Sequence, residues 1–263
     1  MRFASLGSGS QGNGLVVCLP GRAPPGVPTR FVLIDCGFNR REAVRRLALL
    51  GLSLEGLVAV LVTHEHSDHI TGVFRVADAA SAPVYLTHGT MMAARDVGGF
   101  DASRCRILVP DRPVAVGDLS LLPFAVPHDA REPVQYVIDD GHGRLGLLTD
   151  VGRSTPHLIE RLGGVQTLVL ECNHDRALLA NGGYPPSLKR RVGGDFGHLA
   201  NDAAARILAA IDQRRLRRVV AAHLSQQNNR PELARAALAA VLGCVPDDVA
   251  VADQAQGFAW QTA

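Results

Sequence analysis

The stretch LVTHEHSDHITG, residues 61–72, places three histidines, one glutamate and one aspartate in six consecutive positions after an apolar run. That run, LVAVLV at residues 57–62, has the length and composition of a buried strand. Imidazole nitrogens and carboxylate oxygens are common protein ligands of zinc, iron and manganese. The pattern HxHxDH offers four such ligands: His64, His66, Asp68 and His69. The stretch therefore predicts a metal site at a strand end, where alternate residues of one turn can serve two ions.

Two other interpretations of this stretch explain less. A solvated loop would account for a single histidine, but not for four ligand-type side chains in six positions. The helical zinc motif HExxH is the nearest alternative, yet His64, Glu65 and His69 form HExxxH, which is one residue too long. We therefore expect metal binding of a different kind.

Two ions need more ligands than one loop holds. Three further candidates each end a predicted strand: His128 in FAVPH, Asp150 in LGLLTD and His223 in VVAAHLS. Strands that end at one edge deliver such side chains to one place. Singly, His128 or Asp150 can be an ordinary turn residue, but the repeated placement favours ligands. Asp35, which ends FVLID, is expected to orient a ligand histidine by accepting a hydrogen bond from its second nitrogen.

The rest of the pattern predicts an α/β (α+β) protein in which helices cover β-sheets. Strands are predicted at residues 2–7, 14–19, 31–37, 57–62, 83–87, 119–128, 133–139, 143–150, 167–175, 217–225, 249–254 and 257–261. Helices are predicted at residues 41–51, 69–80, 90–98, 155–164, 199–213 and 230–243. Proline and glycine predict a turn at residues 20–29.

Length and composition fit one domain spanning residues 1–263, of which 47% are hydrophobic. The apolar runs are far shorter than the roughly 20 residues of a membrane helix, and the N-terminus lacks a secretory pattern. We therefore expect a cytoplasmic protein with no membrane partner. Five widely spaced cysteines without a CxxC pair argue against a disulfide framework or a thiolate zinc site. A net charge of +2 does not by itself indicate a polyanionic partner.

The order of these motifs resembles the metallo-β-lactamase superfamily, whose hallmark is HxHxDH followed by a distant histidine, an aspartate and a final histidine. The resemblance covers nearly the whole chain. It implies an αββα sandwich of two mixed β-sheets flanked by helices. Within the superfamily, the chain resembles the YycJ/WalJ-type hydrolases in SLGSGSQGNG, LIDCG, THEHSDH, VPHDA, LLTD, ECNHD, YPPSLKRR, FGHLAND and HLSQQNN. Ala200 of FGHLAND departs from the expected serine, and the lost hydroxyl would weaken either a phosphate contact or a helix cap.

The resemblance also implies a set of metal ligands. His64, His66 and His128 would bind one ion, and Asp68, His69 and His223 the other. Asp150 would bridge the two. The ligand set contains no thiolate and suits two divalent ions, Zn²⁺ or Mn²⁺.

Such a pair of ions implies hydrolysis by a hydroxide held between them, the chemistry of phosphodiester cleavage. The resemblance points to a nuclease acting on nucleic acid, with DNA and exonucleolytic cleavage favoured. Asp68 or Asp150 is expected to help orient the nucleophile. His198 is expected to bind the phosphate or protonate the leaving oxygen, unless it merely flanks a helix. Substrate contacts are expected from the basic segment Lys189, Arg190 and Arg191, with Tyr184 and Ser187 before it, and neutral contacts from Asn228 and Asn229.

Two alternatives remain open from the sequence. The same metal pair hydrolyses thioesters or lactam rings elsewhere in the superfamily, so an acyl hydrolase is one alternative. A metal-dependent binding protein without catalytic activity is the other. The sequence leaves the oligomeric state open.

Overall fold

Two mixed β-sheets packed face to face form the centre of the protein in the computed structural model, which describes residues 1–21, 24 and 26–263. The turn expected at residues 20–29 falls partly on residues 22, 23 and 25, which lie outside the described residues. Helices cover the outer face of each sheet. The predicted αββα sandwich is confirmed.

The first sheet is antiparallel at one side and parallel at the other. Its strands are β1 (Arg2–Gly7), β2 (Gly14–Cys18), β3 (Phe31–Ile34), β4 (Leu57–Leu61), β5 (Val84–Thr87), β6 (Cys105–Leu108) and β14 (Phe258–Thr262). The spatial order is β14-β1-β2-β3-β4-β5-β6. Pairs from β14 to β3 are antiparallel, and pairs from β3 to β6 are parallel.

The second sheet repeats this arrangement. Its strands are β7 (Val114–Val116), β8 (Leu119–Ala125), β9 (Val134–Asp139), β10 (Arg144–Leu148), β11 (Thr167–Glu171), β12 (Arg218–Ala222) and β13 (Ala250–Val251). The spatial order is β13-β12-β11-β10-β9-β8-β7. The four strands from β7 to β10 pair in antiparallel fashion, and β10 to β13 pair in parallel.

The helices lie mainly between parallel strands. They are α1 (Arg40–Leu49), α2 (Ser67–Ile70), α3 (Val73–Ala79), α4 (His88–Ala93), α5 (Pro156–Leu162), α6 (Arg176–Asn181), α7 (Pro186–Val192), α8 (Asn201–Ala210) and α9 (Pro231–Leu242). Short 3₁₀ helices occupy Leu54–Gly56, Ala94–Asp96, Ala102–Arg104 and Pro246–Asp248. None of these helices combines the length and the apolar character that crossing a bilayer requires.

Side chains that alternate along the strands build a three-part core. In β3, Phe31 and Leu33 pack toward α1 and α3, whereas Val32 and Ile34 pack between the two sheets. This is the period of two that a strand buried on both faces requires. The second sheet does the same against α5, α8 and α9. Both sheets are therefore buried on both faces, and their strand ends are rigidly held.

The sequence pattern does not predict four of the elements: β6, β7, α6 and α7. The two strands lie at sheet edges and have three or four residues, several of them exposed. The two helices have six and seven residues and are separated by a glycine- and proline-containing turn. Short elements of this kind bury too few side chains to show a clear period.

Ala200 is the N-cap residue of α8, and its side chain makes no capping hydrogen bond. The helices α1, α5 and α6 begin instead at Asn39, Thr155 and Asp175, whose side chains accept backbone hydrogen bonds. Ala200 is only 2% exposed, which leaves a phosphate no access to it. The geometry therefore favours the helix cap as the contact that a serine would make there.

Glycines allow the histidine-rich loop to pack against the end of β3. The backbone nitrogen of Cys36 donates to the carbonyl of His69 at 2.7 Å, and that of Asn13 donates to the carbonyl of Asp68 at 2.8 Å. A Cβ atom at Gly37 would overlap the carbonyl of Asp68. The absence of a side chain at Gly37 thus sets how closely the loop approaches.

We expect Gly37→Ala to lower the free energy of unfolding by about 1–3 kcal/mol, because the added methyl group meets backbone that cannot move aside freely. Denaturant titration measures the change. Gly183→Ala is the matched control, since a Cβ at Gly183 meets no atom within 4 Å. Equal stability of the two variants would show that the loop can shift without cost.

Candidate metal centre and substrate cleft

Polar side chains follow the parallel strands at one edge of the sandwich. Asp35 directly follows β3 and Asp150 follows β10 by two residues. Glu171 is the last residue of β11, and His223 directly follows β12. The two sheets meet at this edge, since His69 contacts both Asp35 and Asp150. The side chains predicted to come from strand ends therefore share one place.

Three of these residues adopt left-handed backbone conformations. The φ angles are 59° for Asp35, 55° for Asp150 and 55° for His223. Such a conformation costs a non-glycine residue about 1–3 kcal/mol and persists where the surroundings hold it. The backbone nitrogen of Asp35 donates to the Leu61 carbonyl, and that of His223 donates to Ser8 Oγ, both at 2.8 Å. Strain is thus concentrated where strand ends turn their side chains inward.

His66 and His128 direct lone pairs at each other. His66 Nε2 donates to the carbonyl of Asp129 at 3.2 Å, and His128 Nδ1 donates to that of Gly197 at 3.1 Å. Carbonyl oxygens only accept, so the remaining nitrogen of each neutral ring carries a lone pair. These two nitrogens, His66 Nδ1 and His128 Nε2, lie 3.2 Å apart. The two lone pairs repel each other, and a cation bound between the two nitrogens would attract both.

His64 adds a third lone pair by the same reasoning. Thr63 Oγ1 donates its hydrogen to Asp35 at 2.8 Å, so it accepts from His64 Nδ1 at 3.0 Å. His64 Nε2 is therefore the unprotonated nitrogen. His64, His66 and His128 offer ligand atoms that lie within 4.8 Å of one another.

His69 directs its lone pair at carboxylates. Its Nδ1 donates to Asp35 Oδ2 at 2.8 Å, which is the orienting contact expected for Asp35. Its Nε2 lies 3.2 Å from Asp150 Oδ2 and 3.5 Å from Asp68 Oδ2. His223 Nε2 lies 3.7 Å from the same Asp68 oxygen. Asp68, His69 and His223 form a second group with ligand atoms within 4.8 Å of one another.

Buried atoms without partners show that these residues fit divalent metal ions. Among the described residues, His64 Nε2, His223 Nε2 and Asp150 Oδ2 have no hydrogen-bond partner. An unsatisfied buried polar atom costs about 1–3 kcal/mol. Divalent cations with nitrogen and oxygen ligands would satisfy all three atoms at once.

The pKa values separate His64 from the two candidate ligand histidines that face carboxylates. Burial lowers the pKa of His64 well below its ordinary value. Burial also acts to lower the pKa of His69, but Asp150, Asp68 and Asp35 outweigh it and raise that pKa well above the ordinary value. For His223, Asp150, Asp68 and Glu171 outweigh burial and raise the pKa to about 10. Protons and metal ions thus compete for the same nitrogen atoms.

Glu171 is a site residue that the sequence analysis missed. Its Oε1 accepts from His198 Nδ1 at 2.8 Å and from His223 Nδ1 at 3.0 Å. Its Oε2 accepts from the backbone nitrogens of Val151 at 3.0 Å and Leu199 at 3.1 Å. Burial raises the pKa of Glu171, but His198 and His223 outweigh burial and lower it to about 2. The sequence contained a signal for Glu171, because Glu171 ends the apolar run TLVLE in the same way that Asp35 ends FVLID.

Asn13, in the motif SLGSGSQGNG, is a second missed residue. Its Nδ2 lies 2.9 Å from His69 Nε2 and 3.2 Å from Asp68 Oδ2. Its Oδ1 accepts from the backbone nitrogen of Gly9 at 2.8 Å. Asn13 thus ties the glycine-rich loop after β1 to two of the candidate ligands. No periodic pattern in the sequence indicates this contact.

His198 lies on the wall of the site and not merely beside a helix. Its Nδ1 is 3.5 Å from Asp150 Oδ1 as well as bonded to Glu171. Burial acts to lower the pKa of His198, but Glu171 and Asp150 outweigh it and raise that pKa. The backbone nitrogen of His198 donates to the carbonyl of Val192 at 2.8 Å, which joins this residue to α7.

A cleft of about 350 Å³ opens over the candidate ligands. Its lining includes His66, Asp68, Asp150, His198 and His223 on the side of the strand ends. Leu188, Arg191 and Val192 of α7 and Tyr184 before it also line the cleft. This volume lies at the small end of the range for ligand-binding sites.

The segment YPPSLKRR contributes differently from the sequence expectation. Arg191 lines the cleft, whereas Lys189 and Arg190 do not. Lys189 Nζ donates to the carbonyl of Ala180 at 2.7 Å, and Arg190 is exposed. Leu188, Arg191 and Val192 fall on one face of α7 by the 3.6-residue period, which turns the other two cations away. Of the three cations in this segment, Arg191 is therefore the one placed in the cleft.

Asn228 is buried below the loop that follows β12. Its backbone carbonyl accepts from the nitrogen of Asp175 at 2.8 Å, and its own nitrogen donates to Ser225 Oγ at 3.1 Å. Ser225 lines the cleft and Asn228 does not. Asn228 is thus buried and bonded to Ser225, and its expected contact with substrate stays a prediction.

Comparison with known proteins places the chain in a family. A family model described as a beta-lactamase superfamily domain matches residues 30–224. Exodeoxyribonuclease YycJ of Bacillus anthracis is 33% identical, over 92% of this chain and 89% of the relative. Exodeoxyribonuclease WalJ of Streptococcus pneumoniae is 30% identical, over 89% of this chain and 85% of the relative.

The chain belongs to the metallo-β-lactamase superfamily. Within this superfamily it groups with the YycJ/WalJ-type hydrolases, so the resemblance read from its motifs is confirmed. The crystal structure of the metallo-beta-lactamase fold protein YhfI from Bacillus subtilis has a TM-score of 0.71 to it, over 99% of this chain and 98% of that one, at 17% identity. That likeness bears on the fold alone. As a member of the superfamily the protein is a metal-dependent hydrolase.

We expect Glu171→Gln to lower the free energy of unfolding by about 2–4 kcal/mol when a chelator is present. All four neighbours of Glu171 donate hydrogen bonds, so the amide NH₂ of glutamine would face two donors. Denaturant titration provides the measurement. The control is Glu160→Gln, whose side chain is 71% exposed and should change stability by less than about 0.5 kcal/mol. Similar losses for both variants would contradict the orienting role of Glu171.

Proposed function

We propose that the protein is a dinuclear metal-dependent phosphodiesterase that cleaves nucleic acid, with DNA as the favoured polymer and cleavage from a chain end. The observation that carries this proposal is the meeting of two groups of candidate ligands with an arginine in one small cleft. Two relatives of similar length are named exodeoxyribonucleases, which supports DNA as the polymer. A nucleic-acid substrate also agrees with the expected cytoplasmic location.

The proposed ligands divide between two ions. His64, His66 and His128 would hold the first ion, and Asp68, His69 and His223 the second. Asp150 would contribute to both sites, since its Oδ2 is 3.2 Å from His69 Nε2 and its Oδ1 is 3.9 Å from His128 Nε2. The nitrogen and oxygen ligands suit Zn²⁺ or Mn²⁺.

When bound, two divalent ions supply Lewis acidity and a water molecule of lowered pKa. The residues of the chain perform the remaining tasks. Asp68 reaches the cleft with a 20% exposed side chain and can accept a hydrogen bond from the attacking water. His198, held by Glu171 through Nδ1, has its other nitrogen available for a phosphate oxygen or the leaving oxygen. This division gives each residue one role at the reacting phosphate.

Arg191 favours a phosphodiester substrate over an acyl ester. Its Nε bonds Asp129 Oδ2 at 2.6 Å, and Asp129 Oδ1 lies 3.5 Å from His128 Nε2. The guanidinium is thereby held beside the candidate metal ligands, with its two terminal NH₂ groups unengaged by Asp129. Arginine recognises phosphate oxygens through such paired donors. An acyl hydrolase has less use for a cation in this position, and hydrolysis of thioesters or lactams is the weaker candidate.

We expect Arg191→Ala to lower kcat/KM about 10- to 100-fold on an oligonucleotide, since a charged hydrogen bond to phosphate contributes about 1.5–3 kcal/mol. The same variant should lose less than about threefold on a simple thioester, if that substrate is cleaved at all. Steady-state kinetics on both substrates make the comparison. Arg190→Ala is the matched control, because Arg190 lies outside the cleft lining. Equal losses for Arg191→Ala on both substrates would favour the acyl-hydrolase alternative.

A metal-supplemented cleavage assay on single- and double-stranded DNA and RNA tests the proposal as a whole. We expect shortening of DNA from an end with Zn²⁺ or Mn²⁺, and no cleavage after removal of metal by a chelator. Asp68→Ala should lower the rate at least about 100-fold, because it removes both a metal ligand and a hydrogen bond to the nucleophile. Elemental analysis of the wild type should find about two metal ions per chain. Two bound ions without cleavage of any polymer would support a binding protein instead.

A further inference from the structure

We propose that Tyr184 and the apolar residues on the inner face of α7 form a binding site for the base of the terminal nucleotide. This inference rests on the proposed function and specifies the substrate further. The residues concerned are Tyr184, Leu188 and Val192, all of which line the cleft. Tyr184 precedes α7 by two residues, and Leu188 and Val192 are one helical turn apart on the same face.

The cleft lining combines two chemically different kinds of side chain. The candidate metal ligands and Arg191 carry charge. Tyr184, Leu188 and Val192, with Leu224 from the loop after β12, are apolar or aromatic. Because Asp129 holds Arg191 close to the candidate ligands, a phosphate bound there leaves the attached sugar and base to extend along α7. A nucleobase presents an apolar π-face, which is the surface that such side chains accommodate.

The scarcity of cations argues for one nucleotide rather than a long duplex. Among the described residues that line the cleft, Arg191 is the single lysine or arginine. Proteins that follow a nucleic-acid backbone place several cations along a groove to contact successive phosphates. A volume of about 350 Å³ with one arginine suits a single nucleotide at a chain end whose base is not paired.

The apolar residues of α7 are held in a fixed position relative to the reacting groups. The backbone nitrogen of His198 donates to the carbonyl of Val192 at 2.8 Å. A Cβ atom at Gly197 would overlap the carbonyls of Arg191 and Val192, so this glycine permits the close approach. The last turn of α7 and His198 therefore form one structural unit, which keeps the base site and the phosphate site in register.

The test compares single-stranded DNA that ends in a normal nucleotide with DNA that ends in an abasic nucleotide, placed at the 5′ end or at the 3′ end. Stacking of one base on an aromatic side chain contributes about 1–3 kcal/mol. We expect the wild-type enzyme, supplied with Zn²⁺ or Mn²⁺, to prefer the normal end by roughly 5- to 150-fold in kcat/KM. In Tyr184→Ala this ratio should fall toward one, and in Tyr184→Phe it should persist, because phenylalanine also stacks.

Controls separate a binding role from a structural one. Ser187→Ala alters α7 outside the cleft lining and should keep the wild-type ratio. Metal content by elemental analysis should be equal in all variants. An unchanged ratio in Tyr184→Ala, or a wild type that cleaves normal and abasic ends equally, would overturn the base site alone. A wild type that cleaves neither end would overturn the proposed nuclease function and the base site with it.

Discussion

The candidate ligands bring nitrogen lone pairs and carboxylate charges close together in a buried site. Their mutual repulsion must be offset by positive charge, and the contacts of the surrounding residues follow from this. The second nitrogen of each candidate ligand histidine is engaged outward, with Asp35, Glu171, Thr63 or a backbone carbonyl. The nitrogen that remains faces the other candidate ligands, and for His64 and His223 it has no hydrogen-bond partner among the described residues. Metal ions or protons can supply the missing charge, and the raised pKa values of His69 and His223 show how strongly the protein attracts it.

Each sheet contributes one carboxylate that orients ligands. Asp35 directly follows the strand β3 of the first sheet and accepts hydrogen bonds from Thr63 and His69. Glu171 ends the strand β11 of the second sheet and accepts from His198 and His223. Because both carboxylates lie at the ends of strands buried on both faces, they are held rigidly. This rigidity also supports the left-handed backbone at Asp35, Asp150 and His223, whose cost the surrounding hydrogen bonds offset.

The cleft is lined by residues from two parts of the fold, the strand ends of the two sheets and the helix α7. The strand ends and the histidine-rich loop supply the candidate ligands, and α7 with the turn before it supplies Tyr184, Leu188, Arg191 and Val192. The two parts are joined, since the backbone nitrogen of His198 donates to the carbonyl of Val192 and Arg191 Nε bonds Asp129 Oδ2. The geometry of the cleft therefore depends on how α7 packs against the strand ends.

The sequence by itself determined the fold class, because alternating apolar strands and helices leave few ways to bury both sheets, and HxHxDH at a strand end is specific. It also indicated which strand ends carry His128, Asp150 and His223, since polar residues after apolar runs mark sheet edges. Only the tertiary structure decided that Glu171 and Asn13 join the site, because their partners are distant in the chain. Only the tertiary structure shows that Arg191, and not Lys189 or Arg190, lines the cleft, because the orientation of a short helix depends on the residues against which it packs. Local pattern decides which face of a strand is buried, but only packing decides which side chains meet.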